Sequence, residues 1–407
     1  MNSVNQAKQL ANPSMAAQFD VVKLGHLESN QVSSMLGFLL WTKVFLILPS
    51  FIIAKVGPGA WITIILSALL ASAGLWGWLK WSKTTGNLGI VPSLRLTLGR
   101  VLGDTVALII ALYFLTITGL SVRVFAGGAV IGLLPEFPIE ILIFVIIGAA
   151  IYSAWLGLES VGRAAVFFFP VVAVSIILVA VGSYRLFDLR HLYPVLGMGM
   201  PVLLRESLPH TGLFGAISVT AVLKSYIREP DNLPRCAYRG LVIASIFMVG
   251  SVVLVSAVFP YPVSTRQVIP LGTVARAVYL GRFLQRIEAL FTFTWFFASA
   301  VHASVCYMIT LILLCQLMNT WTYRPLVPGV ASLTFGIAAL PQSILDASLL
   351  LVNTYVTAGT AQVALGLLLY GVARATNVSE KAQEISRVLV NQNKQDHLAE
   401  ISREDQG

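Results

Sequence analysis

Charged side chains are scarce in this sequence: Asp, Glu, Lys and Arg make up 11% of its 407 residues, against 57% hydrophobic residues. Soluble domains carry about 25% charged residues, so this chain has too few of them to cover a surface that faces water. The abundance of hydrophobic residues also excludes a disordered chain. What remains is an all-α protein that crosses the lipid bilayer several times.

Other signals are also missing. The three cysteines, Cys236, Cys306 and Cys315, are an odd number without CxxC spacing, which predicts neither a disulfide framework nor a zinc site. The net charge of +9 comes without a basic run that is interleaved with aromatic residues, so nucleic acid is not an expected partner. We find no nucleophile–base–acid set and no phosphate-binding glycine loop, so neither an enzyme nor a cofactor is predicted.

Long runs without charged residues predict the membrane spans. Most of them approach the roughly 20 apolar residues that cross about 30 Å of hydrocarbon. The clean runs are Val56–Leu79, Thr105–Val122, Ile141–Leu158, Ala164–Tyr184, Gly240–Thr265, Ala289–Tyr323, Pro325–Leu345 and Ala347–Ala373. Two less regular runs, Asn30–Phe51 and Ser207–Leu223, bring the prediction to ten transmembrane helices.

The distribution of Lys and Arg orients this bundle. With the N-terminus inside, the predicted cytoplasmic connections (Lys224 among them) and both tails hold more Lys and Arg than the outer connections, as the positive-inside rule requires. We therefore expect residues 1–28 and 376–407 to be cytoplasmic tails of a transmembrane domain at 29–375. The first 28 residues lack the apolar stretch of a cleavable signal peptide, so the first span is expected to direct insertion.

Two predicted spans are interrupted. The first contains Lys43 and Pro49, and the sixth contains Pro209 and two glycines. Irregular backbone at membrane depth persists only where it lines a cavity or packs against protein. Two interrupted spans in corresponding positions indicate an inverted repeat of five plus five helices, whose half-helix ends face a central small-molecule site. A pair of simple proline kinks is the alternative.

Ionisable residues inside the spans are candidates for that site. A charged Lys43 would cost about 2.5–3.5 kcal/mol at mid-membrane, so it is expected to pair with a ligand carboxylate or to stand in for a sodium ion. A lysine that snorkels to the interface is the alternative. Arg123, late in the third span, is a second candidate. His210 and His302 could carry protons or make ordinary hydrogen bonds between helices.

Four segments, in the same order and spacing, resemble those of spore germination permeases, which are the B subunits of nutrient germinant receptors. They are Leu189–Gly197 before the sixth span, Phe283–Phe291 with Trp295 at the eighth, Gly157–Glu159 with Arg163 between the fourth and fifth, and Ile47–Pro49 with Gly57 and Trp61 between the first and second. The resemblance extends over about residues 31–373.

The resemblance implies a LeuT-like 5+5 fold of the amino acid–polyamine–organocation superfamily and a germinant, often an amino acid, bound in the spore inner membrane. It also implies an A-type subunit and a C-type lipoprotein subunit as partners. The ligand would lie among spans one, three, six and eight. With Arg123 added from its charge, the candidate ligand-binding residues are Thr42, Lys43, Tyr113, Thr116, Arg123, Thr211, Gly212, Phe214, Gly215, Thr294 and Trp295.

One departure from the family pattern concerns the first span. Family members usually carry Gly-x-Gly in its unwound part, whereas this chain has Thr42-Lys43-Val44. Lys43 is therefore expected either to supply a charge to the ligand or to occupy the site itself. Besides a receptor subunit, two functions stay open: a proton-coupled amino-acid transporter that uses Lys43 or His210, and a structural or conducting subunit with a vestigial pocket.

Overall fold

The molecule is built from α-helices that run through an apolar bundle. The computed structural model describes residues 26–45, 47–86, 88–132, 135–278, 287–380 and 382. Within these ranges the chain forms no β-strand, and an isolated parallel bridge joins Leu27 to Ile227. This helical architecture confirms the predicted all-α fold class.

Fifteen α-helices follow one another along the described chain. They are α1 (Ser29–Trp41), α2 (Leu48–Val56), α3 (Ala60–Thr84), α4 (Ile90–Leu98), α5 (Arg100–Gly132), α6 (Ile139–Leu156), α7 (Leu158–Gly182), α8 (Met200–His210), α9 (Val219–Leu223), α10 (Leu233–Val258), α11 (Pro270–Ala277), α12 (Ile287–Leu317), α13 (Val327–Ala339), α14 (Ile344–Thr354) and α15 (Thr360–Ala375).

Among the residues that the structure describes, seven helical stretches are long and apolar enough to cross a membrane. They contain α3, α5, α6, α7, α10 and α12, together with the stretch Ile344–Ala375. These correspond to the predicted spans two to five, seven, eight and ten. The predicted first and sixth spans are divided into shorter helices, and α13 has only 13 residues. The multi-pass character is thus confirmed, while the count of ten stays a prediction.

The two predicted interruptions are present. Between α1 and α2 the chain forms a 3-10 segment, Thr42–Phe45, which we call the first break. Between α8 and α9 it forms a longer 3-10 segment, Thr211–Ser218, the second break. Pro209 at the end of α8 contributes to the latter, because proline lacks the backbone N–H that would continue an α-helix.

A third irregular segment was not predicted from the sequence. Residues Tyr355–Gly359, between α14 and α15, form a π-helical turn, which we call the π-turn. Single π-turns within α-helices occur frequently at functional sites. The π-turn packs against the second break, so the irregular parts of two spans lie side by side.

Helix α12 occupies the middle of the bundle, where it packs against α5, α6 and α7. Its 31 residues make a rod of about 46 Å at 1.5 Å per residue, longer than the hydrocarbon core. The helix begins at Ile287 and ends at Leu317, so it covers most of the predicted run Ala289–Tyr323.

Lys224 differs from an ordinary loop residue. The sequence assigns this lysine to a predicted cytoplasmic connection, and its side chain is buried at the end of α9. Its Nζ donates to Thr85 Oγ1 at 2.6 Å, to Ser93 Oγ at 3.2 Å and to the Ser82 carbonyl at 3.4 Å. Lys224 thereby ties α9 to the end of α3 and to the short helix α4.

Candidate functional site

Lys43 lies at the first break and reaches across to the second. Its side chain is only 1% exposed. Nζ donates to the Leu39 carbonyl in α1, at 3.1 Å, and to the Leu213 carbonyl in the second break. It also lies 4.4 Å from the centre of the Tyr355 ring in the π-turn. The lysine amine therefore connects the first break, the second break and the π-turn.

This arrangement can stabilise a positive charge without an acidic partner. No ion pair involving Lys43 occurs among the residues that the structure describes. Carbonyl oxygens present the negative ends of their dipoles, and the face of an aromatic ring attracts a cation by about 2 kcal/mol when both are desolvated. The site thus replaces a counter-ion by two carbonyl groups and one ring.

Thr42 connects the first break to α12. Its Oγ1 donates to the Phe38 carbonyl at 2.8 Å and lies 2.9 Å from Nδ1 of His302. Since the hydroxyl proton points to the carbonyl, Nδ1 is the donor in the second contact, and Nε2 is free to accept from Cys306, whose Sγ lies 3.7 Å away. Of the two roles expected for His302, the hydrogen bond between helices therefore fits this arrangement better than the proton carrier.

Glycines allow the second break and the π-turn to touch. A Cβ atom on Gly212 would collide with the Tyr355 carbonyl oxygen, and one on Gly215 would lie 2.5 Å from Cα of Gly359. Thr360 adds a hydrogen bond, because its Oγ1 donates to the Pro209 carbonyl at 2.8 Å. This close backbone contact fixes the position of Tyr355 relative to Lys43.

A small cavity adjoins the side chain of Lys43. It is lined by Lys43, Ile47, Leu48, Ser348, Leu351, Val352 and Tyr355. The centre of a water molecule can occupy about 10 Å³ of it. A single water needs roughly 10–15 Å³ on this measure, so the cavity holds one water at most and no amino acid. A ligand could enter this region only if the side chains around Lys43 rearranged.

The structure brings together some of the predicted ligand-binding residues. Thr42, Lys43, Thr211, Gly212, Phe214 and Gly215 lie in the two breaks, and all are buried. Tyr113 of α5 is buried too, and the environment of its phenol includes Tyr355 and Cys306. Thr116, one turn further along α5, is half-buried. Among the described residues, the Thr116 side chain makes no hydrogen bond to either break.

Three predicted residues make contacts away from the lysine amine. Arg123 donates from Nη2 to the Pro341 carbonyl at 3.1 Å, so it binds the connection before α14. Thr294 donates to Ser175 Oγ at 2.7 Å and so faces α7. Trp295 packs parallel to the Phe45 ring at the end of the first break, with 6.4 Å between the ring centres. These contacts hold together the helices and the connection around the site.

Sequence reasoning missed Tyr355 and the π-turn. A signal was present, since the otherwise apolar run Ala347–Ala373 contains three threonines within Thr354–Thr360 and also Gly359. Polar side chains and glycine in a membrane helix often mark contacts between helices. The sequence alone gives no indication that this stretch meets Lys43.

The chain resembles spore germination proteins of Bacillus subtilis (strain 168). Spore germination protein YndE is 24% identical over 239 residues, which cover 58% of this chain and 66% of the relative. Spore germination protein A2 is 25% identical with the same coverage, and spore germination protein B2 is 23% identical over 244 residues, which cover 58% and 65%. The matches thus span about two thirds of the length of these relatives.

A solved structure and a family profile extend the comparison. The crystal structure of MhsT in complex with L-phenylalanine superimposes with a TM-score of 0.62 and 13% identity, over 89% of this chain and 99% of that one. This likeness confirms the predicted LeuT-like fold. The sequence profile described as "Spore germination protein" matches residues 26–347. Because that match covers most of the sequence, the chain belongs to the spore germination protein family.

Proposed function

We propose that this chain is the germinant-recognising, permease-like subunit of a spore nutrient receptor. In this proposal a small polar nutrient, an amino acid, binds at mid-membrane between the two breaks and triggers germination. The supporting observation is the Lys43 amine, which joins the first break to the second break and the π-turn. A ligand that displaces this amine changes how three spans are held together.

The chemistry of the site suits an amino acid. A ligand carboxylate can pair with the Lys43 amine, because burial makes such charge-assisted hydrogen bonds strong. Carbonyl groups at the breaks can accept hydrogen bonds from a ligand amino group. We include the predicted residues Thr42, Lys43, Tyr113, Phe214 and Gly215 in this site and add Tyr355 to them.

Ligand binding would shift an equilibrium between conformations. A ligand moves such an equilibrium only by its difference in affinity for the two states. The closed arrangement, with room for one water, is a state that binds an amino acid poorly. An open state, in which Lys43 has left the Leu213 carbonyl, would bind it better and would be the signalling state.

The test is a thermal-shift screen of the purified full chain against amino acids, sugars and nucleosides. We expect at least one amino acid to raise the unfolding midpoint. In Lys43→Met, the same rise should require at least a tenfold higher concentration of that amino acid. Lys55→Met, which changes an exposed lysine at the end of α2, is the matched control. A receptor that responds to no amino acid, even together with its A-type and C-type partners, would refute the proposal.

A proton-coupled amino-acid transporter is the second candidate, since the chain shares its fold with MhsT. Uptake separates the two functions. The receptor proposal expects no accumulation of a labelled amino acid in liposomes that contain this chain alone, with or without a proton gradient. It also expects co-purification with an A-type and a C-type subunit. Gradient-dependent uptake that Lys43→Met abolishes would favour the transporter.

A further inference from the structure

The surroundings of the Lys43 amine have the shape of a binding site for a primary ammonium group. An ammonium on a single carbon has three N–H donors that point in different directions. Two of these donors find the carbonyl oxygens of Leu39 and Leu213, and the Tyr355 ring lies on a further side at 4.4 Å. We call these two carbonyl groups and this ring the ammonium seat.

Other cations fit the ammonium seat less well. Hard metal ions such as calcium and magnesium take about six or more oxygen ligands, whereas the seat offers two carbonyl oxygens and a ring face. A quaternary ammonium has no N–H to donate to the carbonyl groups. The planar guanidinium of an arginine presents five donors in one plane, whereas the seat offers two carbonyl oxygens. Of the cations compared, a primary ammonium therefore fits the seat best.

Space for an occupant lies beside the ammonium seat. The cavity next to the Lys43 side chain is also lined by Ser348 on α14 and by Tyr355, and only apolar atoms of these side chains face it. Cavities without polar atoms stay free of water, so this space suits the hydrocarbon part of an occupant rather than its ammonium group.

We propose that the ammonium seat is a primary-ammonium site which Lys43 fills as an internal occupant, and that Tyr355 forms its specificity-determining wall. The amino group of a nutrient takes the seat when Lys43 withdraws, a consequence that rests on the proposed function. Lys43 then competes with the ligand in the closed state and can pair with the ligand carboxylate in the open state. Selection for an amino group would come from span ten as well as from the two breaks.

Removing the internal occupant tests this site directly. Lys43→Ala deletes the three outer methylenes and the amine of the lysine, which propylammonium chloride can replace. We expect propylammonium at millimolar concentrations to raise the unfolding midpoint of Lys43→Ala by about 3 °C and to do so saturably, as ligand linkage requires. Wild-type protein, whose seat is filled, should show no saturable shift.

Two second-site variants assign the effect to the aromatic ring. In the Lys43→Ala background, Tyr355→Phe keeps the ring and should retain the shift within about threefold in propylammonium concentration. Tyr355→Leu removes the ring and should weaken binding at least tenfold, as expected for a desolvated cation–π contact. Propanol, which has the same length without the charge, and sodium chloride serve as controls and should give no saturable shift.

Several results would overturn the proposal. They are an equal shift with propanol or sodium chloride, an equal shift in wild-type protein, no shift at all, or full retention in Tyr355→Leu. If Lys43→Ala aggregates alone, its monodisperse recovery in propylammonium is measured by gel filtration instead, and the absence of recovery counts against the proposal. The amino-acid screen of wild-type protein is independent, so a nutrient response that persists would leave the proposed function standing.

Discussion

In the part of the chain that the structure describes, two lysines are buried, and they differ in what surrounds their amines. Lys43 contacts two backbone carbonyl groups and a ring, all three in or beside irregular segments. Lys224 contacts two hydroxyl groups and one carbonyl, and it lies 5.6 Å from the centre of the Trp81 ring. Lys43 adjoins a cavity, whereas the lining of that cavity does not include Lys224.

The difference separates a replaceable cation from a structural one. The Leu213 carbonyl lies in the second break, where the backbone can change its hydrogen bonds at a lower cost than within a regular helix, so this partner of Lys43 can accept another donor. The partners of Lys224 are two hydroxyl groups and one backbone carbonyl in or directly after the regular helices α3 and α4, and all three of its N–H groups have an oxygen within 3.4 Å. We therefore assign Lys43 to ligand binding and Lys224 to holding α4 against the bundle.

The contact that positions Tyr355 gives the largest expected effect. In Gly212→Ala the new methyl group would collide with the Tyr355 carbonyl and approach Thr360 N to 2.5 Å, and both are backbone atoms. We expect a loss of about 3 kcal/mol or more in the free energy of unfolding, since overpacking against rigid neighbours is costly. Unfolding of the purified protein in mixed micelles by added SDS measures this change.

Gly250→Ala is the matched control for that variant. A Cβ on this exposed glycine of α10 meets no heavy atom within 4 Å, so the change should be neutral or stabilising by up to about 1 kcal/mol from helix propensity. Equal stability of the two variants would mean that the second break and the π-turn are loosely packed. The position of Tyr355 relative to Lys43 would then not be fixed by this packing.

Hydrogen exchange tests whether Lys224 holds α4 against the bundle. Lys224→Met keeps the length of the side chain but removes its donors, and we expect a loss of about 1–2 kcal/mol because part of the lost bonding is offset by relief of a buried charge. Amide exchange in α4 (Ile90–Leu98) should become faster, while Lys43→Met should leave α4 unchanged. Faster exchange of α4 in both variants would show that the two lysines act as one unit.

The two breaks were predictable because their causes are local. Pro209 removes a backbone donor, the glycines beside it loosen the turn, and a lysine in an apolar run needs partners inside the protein. These effects act within a few residues of the position that they mark. They identified Thr42–Phe45 and Thr211–Ser218 with no knowledge of the neighbours, although they did not show which groups Lys43 would contact.

The remaining features depend on distant parts of the chain. Lys224 directly follows an apolar run, as a lysine in a loop often does. Its burial depends on groups from other elements, such as Thr85 and Ser93. The π-turn brings Tyr355 to Lys43 through backbone packing over more than a hundred residues of sequence. Arg123 donates a hydrogen bond to the Pro341 carbonyl, and no periodic pattern in the sequence indicates this contact.

An exposed charge pair in the connection between α7 and α8 gives a reference for both buried lysines, with the smallest expected effect. Arg190 donates from its side chain and its backbone N–H to Asp188, which lowers the pKa of this carboxyl to about 2. A depressed pKa means that the pair adds stability above about pH 4, the range of an unfolded aspartate, and loses it as the pH falls to about 2. The difference in unfolding midpoint between wild type and Asp188→Asn should therefore shrink from pH 6 to pH 3.

This difference should also fall with added salt, which screens exposed charges but screens buried amines much less. Asp231→Asn, at an exposed site in another connection, is the control. If the Asp188 variant matched Lys224→Met in size and salt response, burial would not explain the contrast between the charges inside this bundle and those outside it.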